Sequence, residues 1–159
     1  MSGASMTARI LLALSFAMLT GPPLAAQPAG NPTPADAQAM LAKALDYYQV
    51  NGRDKALQAF NNKQQPFSDR GLYVFCIGPD HTLVADGEFR EFVGQSADII
   101  KDASGKPLGR AFWDIAQKDG KGELHYQFLD PATQLIKPKV SYFARAGTDV
   151  CGVGTYEAN

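Results

Sequence analysis

The sequence predicts an α+β domain, with N-terminal helices followed by a five-stranded, mainly antiparallel sheet. Three observations predict it. Apolar residues between Ala37 and Tyr48 recur at spacings of three and four, as on one face of a helix. From Leu72 onward the pattern changes to short β-branched and aromatic runs separated by Gly, Pro and Asp turns. The chain has 159 residues, 45% hydrophobic and 19% charged, which suits one core.

The first 26 residues read as a targeting segment. Arg9 precedes an apolar run, Ile10 to Thr20, and Gly21-Pro22-Pro23 breaks it before the small-residue cleavage site Leu24-Ala25-Ala26. That run is short of the roughly 20 apolar residues needed to span a bilayer. The expected product is a periplasmic protein cut after Ala26, without a membrane anchor. Residues 27–33 are rich in Pro, Gly and polar residues and form a disordered leader. A single domain then occupies residues 34–159.

The first helix starts with Thr33 as N-cap, Pro34 at the first helical position and Asp36 in the first turn. Ala37, Met40, Leu41, Ala44, Leu45 and Tyr48 form its apolar stripe, and Asn51-Gly52 ends or kinks it. A second helix runs from Arg53 to Phe60. LYVFCI (72–77) and TLVAD (82–86), joined by GPDH, read as a β-hairpin. Residues 87–108 form a long ordered connection, and residues 109–117 a short helix. ELHYQF (123–128), KVSYFAR (139–145) and DVCGVGTY (149–156) supply three more strands.

In this order YYQVNGRDKALQAFNN, GLYVFCIGPDHTLVADG, FVGQSADIIKDASGKPLGRAF, GKGELHYQFLDP, KPKVSYFAR and VCGVGTY resemble the single Cache domain family, the extracytoplasmic sensing modules of bacterial chemoreceptors and histidine kinases. The resemblance covers residues 35–156. It implies a Cache/PAS-like fold, with the helices packed on one face of the sheet and a small-ligand pocket on the other, beneath the connection between the second and third strands. It also places the first strand beside the last. With neither flanking transmembrane helices nor a cytoplasmic output after Asn159, the module is expected to pass its ligand or bound conformation to a separate membrane receptor or kinase.

With those strands adjacent, Cys76 and Cys151 are expected to form a disulfide in an oxidising compartment, two buried thiols being the alternative. Period-two alternation then places Leu72, Val74 and Val153 with the cysteines. Tyr73, Phe75, Ile77, Gly152, Gly154 and Tyr156 point to the opposite face. Tyr73, Phe75, Trp113, Tyr126 and Tyr142 are candidates for the pocket lining, with core packing as each ring's competing role. Lys139 or Arg110 would supply a cation for a small carboxylate. Alternation leaves open whether Lys139 or Tyr142 reaches the pocket.

The remaining signals exclude more than they assign. Lys and Arg number 15 against 16 Asp and Glu, so no nucleic-acid footprint exists. His81 and His125 lack metal-ligand spacing. Gly94-Gln95-Ser96-Ala97-Asp98 lacks the closing Gly of a nucleophile elbow, Gly152-Val153-Gly154 has no helix after it to hold a phosphate, and the cysteines are not CxxC. No enzyme, cofactor or metal is expected. Two functions remain: a binding module for a small organic acid, or a protein-interaction domain whose pocket is filled by its own aromatics. A monomer is expected, because the stripe on the first helix is used against the sheet.

Overall fold

The structure, a computed structural model, describes residues 30–157, so the targeting segment and residues 27–29 of the leader lie outside the described residues. Thr33 starts helix α1 (Pro34–Asn51) through a reciprocal cap. Its Oγ1 accepts the Asp36 N–H at 3.2 Å, and Asp36 Oδ2 accepts the Thr33 N–H at 2.8 Å. Ala37, Met40, Leu41, Ala44 and Tyr48 are buried on one face of α1, with Leu45 packed beside them. Gly52, at φ +81°, ends α1 in a conformation that a side chain would strain, and α2 (Arg53–Asn61) leaves at an angle to bury Ala56, Leu57, Ala59 and Phe60.

The strands are β1 (Ser68–Asp69), β2 (Leu72–Ile77), β3 (Leu83–Asp86), β4 (Lys121–Asp130), β5 (Leu135–Ala146) and β6 (Asp149–Tyr156). They form one antiparallel sheet in the order β1-β2-β6-β5-β4, with β3 paired to β2 as well. The sheet therefore has six strands rather than five. The additional one is the two-residue β1, folded back onto Leu72 and Tyr73 through Gly71 at φ +87°. The β4–β5 hairpin is longer than expected. Its strands stay paired as far as Asp130 and Leu135, and Asp130 closes the turn by accepting the Ala132 N–H and the Thr133 hydroxyl.

Strand β6 lies between β2 and β5, which is why seven of its eight residues are buried. Cys76 and Cys151 sit opposite each other on β2 and β6, with Cα atoms 4.1 Å apart, and form a disulfide. The bridge faces α1 and α2, in a core layer shared with Leu72, Val74 and Val153. A second anchor joins helices to sheet. The fully buried Asp149 accepts hydrogen bonds from Tyr48 Oη at 2.9 Å and from Arg53 Nε at 3.0 Å.

Helix α3 (Leu108–Asp119) covers the other face of the sheet, burying Leu108, Phe112 and Ala116. The connection from β3 reaches it through 3-10 turns at Arg90–Phe92 and Ala97–Ile99 and runs beside β3, where Leu83 N–H donates to Gln95 O and Gly94 N–H to Leu83 O. Gly109 packs so tightly on this connection that a Cβ there would run into the Ala97 carbonyl.

Candidate ligand-binding site

The side of β2 turned away from α1 and α2 carries Tyr73, Phe75 and Ile77, and strand register extends that face across the sheet. Phe75 lies opposite Asp86 on β3 and Gly152 on β6, and Gly154 lies opposite Ser141 on β5. Both glycines are needed for space. A Cβ on Gly152 would come within 2.5 Å of Phe75 Cζ, and one on Gly154 within 2.6 Å of Lys139 Cε. The missing side chains make room for a ring and for a lysine stem.

A cavity of about 350 Å³ opens over this face, at the small end of the usual range for ligand sites. Tyr73, Phe75, Tyr126, Phe128 and Lys139 come from the sheet. Phe89, Phe92 and Ile100 of the connection, with Leu108 and Phe112 of α3, close it from above. The walls are mainly aromatic; Tyr126, for example, packs edge-on against both Phe112 and Phe128. Tyr126 Oη shares a 2.7 Å hydrogen bond with Ser141 Oγ. Burial pushes the Tyr73 and Tyr126 phenols up, so both are neutral donors or acceptors at neutral pH.

Three charged side chains line the cavity: Lys101, which is itself exposed, and the buried Lys139 and Asp86. Lys139 is only 2% exposed, and its Nζ donates to Tyr73 Oη at 3.0 Å. The Tyr73 and Tyr156 ring centroids are each 4.7 Å from Nζ, and that of Phe128 is 5.4 Å away. Among the described residues no carboxylate oxygen lies within 4.0 Å of it. Burial lowers its pKa to about 8, against the opposing pull of Asp86, Asp130 and Glu88. Asp86 is 5% exposed, and burial raises its pKa. The N–H groups of Phe89 and Glu88, at 2.7 and 2.8 Å from its Oδ1, and the nearby Lys139 oppose that rise.

Of the seven residues singled out from sequence, the structure brings Tyr73, Phe75, Tyr126 and Lys139 together at the cavity. Three lie elsewhere. Tyr142 alternates with Lys139 and Phe143 on β5, so it packs into the helix-side core. Trp113 stands on the flank of α3, 5.1 Å between ring centroids from His81. Arg110 is exposed and 3.8 Å from Asp98 Oδ2. On α3 the inward positions are Leu108, Phe112 and Ala116, spaced by four, and Arg110 and Trp113 fall off that stripe. Asp86, Phe89, Phe92 and Phe128 were missed. Asp86 had a signal, because the β2–β3 hairpin register sets it opposite Phe75 and on the same face.

Helices on one face of an antiparallel sheet and a roofed cavity on the other define an α+β domain with an enclosed site. The family described as Single Cache domain 2 matches residues 31–150, and the chain belongs to it. This is a family of ligand-binding sensor domains, not of enzymes. No curated protein matches the chain by sequence. Among solved structures, the fold is similar to that of a methyl-accepting chemotaxis protein from Vibrio parahaemolyticus RIMD 2210633. That match has a TM-score of 0.61 and 20% identity, and covers 77% of this chain and 86% of that one. A periplasmic sensor domain of a chemotaxis protein matches at TM-score 0.59 and 19% identity, over 76% and 88% of the two chains. A Cache chemosensory domain, from work on the structural basis of carboxylic acid recognition, matches at 0.58 and 16%, over 76% and 86%. At these identities the likeness is one of fold. Among the described residues no helix is long and apolar enough to cross a membrane.

Proposed function

We propose that this chain is a periplasmic sensory module that binds a small organic acid in the cavity between the sheet and α3. Residues 1–26 act as its cleaved export signal, and residues 34–159 form its single Cache domain. Lys139 holds the carboxylate, Tyr73 orients the lysine, and Phe75, Tyr126 and the roof aromatics exclude water.

One observation carries this reading. The Lys139 ammonium, almost fully buried, has one neutral hydrogen-bond partner and open volume in front of it. A buried cation is costly unless an anion pairs with it, and a carboxylate entering the cavity would supply that anion. The open volume argues against the interaction-domain alternative, which needs a pocket filled by its own aromatics. The likeness to a domain described for carboxylic acid recognition supports the same ligand class, and the Cys76–Cys151 disulfide suits an oxidising compartment.

A thermal-shift screen of small acids, amino acids and amines tests the proposal. A ligand at 100 times its dissociation constant stabilises by about 2.7 kcal/mol. Carboxylates should raise Tm and amines lacking a carboxylate should not; a screen in which no acid shifts Tm would overturn the reading.

A further inference from the structure

The cavity holds a second buried charge that a simple acid does not use. Asp86 spends Oδ1 on two backbone N–H groups, and among the described residues its Oδ2 has no hydrogen-bond partner. Asp86 and Lys139 line the same volume, yet they form no ion pair within 4.0 Å. Two groups of opposite charge, both more than nine-tenths buried, therefore face one cavity without direct contact.

We infer that the ligand is a small α-amino acid with an apolar side chain, its carboxylate on Lys139 Nζ and its ammonium on Asp86 Oδ2. This rests on the small-acid reading of the cavity and narrows it. A simple carboxylate would pair with Lys139 but bring its negative charge towards Asp86 in a medium of low dielectric. An amine without a carboxylate would reverse the fault. A zwitterion satisfies both walls at once and leaves the site's net charge unchanged. Of the other lining residues, Phe75, Ile77, Leu108 and Phe112 offer only carbon to the ligand's side chain, while the exposed Lys101 also lines the cavity.

Two matched series test the inference by isothermal titration. One is L-leucine, L-2-hydroxy-4-methylpentanoate and 4-methylpentanoate; the other is L-alanine, L-lactate and propionate. Within each, only the group on the α-carbon changes, from ammonium to hydroxyl to hydrogen. The amino acid should bind at least tenfold more tightly than the unsubstituted acid in at least one series, with the hydroxy acid between them. Asp86→Asn keeps an Oδ1 to accept the Glu88 and Phe89 N–H groups, and it should remove that preference while leaving the unsubstituted acid bound as before or better. If the unsubstituted acid binds as tightly as the amino acid in wild type, the inference falls and the small-acid reading stands. If Asp86→Asn weakens all three compounds equally, the inference also falls. If no compound binds, both fall together.

Discussion

Lys139 Nζ donates a 3.0 Å hydrogen bond to Tyr73 Oη, and this pair joins β5 to β2 across the two glycines of the intervening β6. Removing the phenol leaves the ammonium with no hydrogen-bond partner among the described residues. Tyr73→Phe is therefore expected to weaken carboxylate binding by about two- to twelvefold, corresponding to the roughly 0.5–1.5 kcal/mol of one hydrogen bond. Titration of a small acid into both forms checks this. The cavity's shape is kept, so an unchanged affinity would show that Tyr73 does not position Lys139.

The same lysine sets a pH dependence. In the ligand-free protein its pKa is lowered to about 8, whereas the unfolded chain keeps the ordinary value of 10.5. Between those values the unfolded state holds more protons, so this group makes stability rise as pH increases from about 8 to 10.5. Carboxylate affinity should move the other way. A bound anion raises the lysine pKa, so affinity is flat below about pH 8 and falls above it, by as much as tenfold per unit. Titrating 4-methylpentanoate, whose charge is constant over pH 6.5–9.5, reads this directly, and Lys139→Met should abolish the fall.

Gly154 stands where a side chain would meet the Lys139 stem. Gly154→Ala is expected to displace that stem and reduce acid affinity more than it reduces stability. Gly152→Ala instead presses a methyl group against the Phe75 ring, with an overpacking cost of about 1–3 kcal/mol. Urea melts and titrations of the two variants should separate the effects.

On the opposite face, Asp149 links Tyr48 and Arg53 to β6. Its burial and the adjacent carboxylate push the Tyr48 phenol up to about 12, so Tyr48 stays a donor throughout the neutral range. Asp149→Ala leaves both donors without their acceptor. Because Arg53 is 40% exposed and can turn to water, the expected loss is about 2–3 kcal/mol, below the usual 3–5 for a fully buried pair. Ligand binding should be little changed, since this cluster lies across the sheet from the cavity.

The disulfide closes a loop with a sequence separation of 75 residues, worth about 4 kcal/mol by chain entropy. Strands β2 and β6 are paired on either side of it, so their residual association should reduce the measured value. Denaturant unfolding of wild type against a Cys76→Ala, Cys151→Ala double variant reads it. Labelling of two free thiols in unfolded, unreduced wild-type protein would contradict the bridge.

Much of the fold was legible because its signals are local. The cap at Thr33, the stop at Gly52 and the alternation of LYVFCI each depend on neighbours within a few residues, and the faces assigned to β2 and β6 follow from period two alone. The pocket was legible only where a residue's face follows from its own strand, as for Tyr73 and Phe75. On β5, Lys139 and Tyr142 alternate equally well in either sense, and only pairing with β6 orients the strand. Arg110 and Trp113 carry suitable chemistry but fall off the Leu108, Phe112 and Ala116 stripe that sets which side of α3 faces inward. Phe89 and Phe92 sit in a connection without periodicity, so nothing local marks them as a roof.

The central claim is that Lys139 receives a carboxylate. Isothermal titration of L-leucine and 4-methylpentanoate into wild type and Lys139→Met at pH 7 tests it most directly, because Met keeps most of the stem's bulk and removes the ammonium with its charge and donors. The expected result is binding to wild type that weakens at least thirtyfold in the variant, about 2 kcal/mol, the lower end for losing one partner of a buried charge pair. Equal affinity for wild type and Lys139→Met would contradict it.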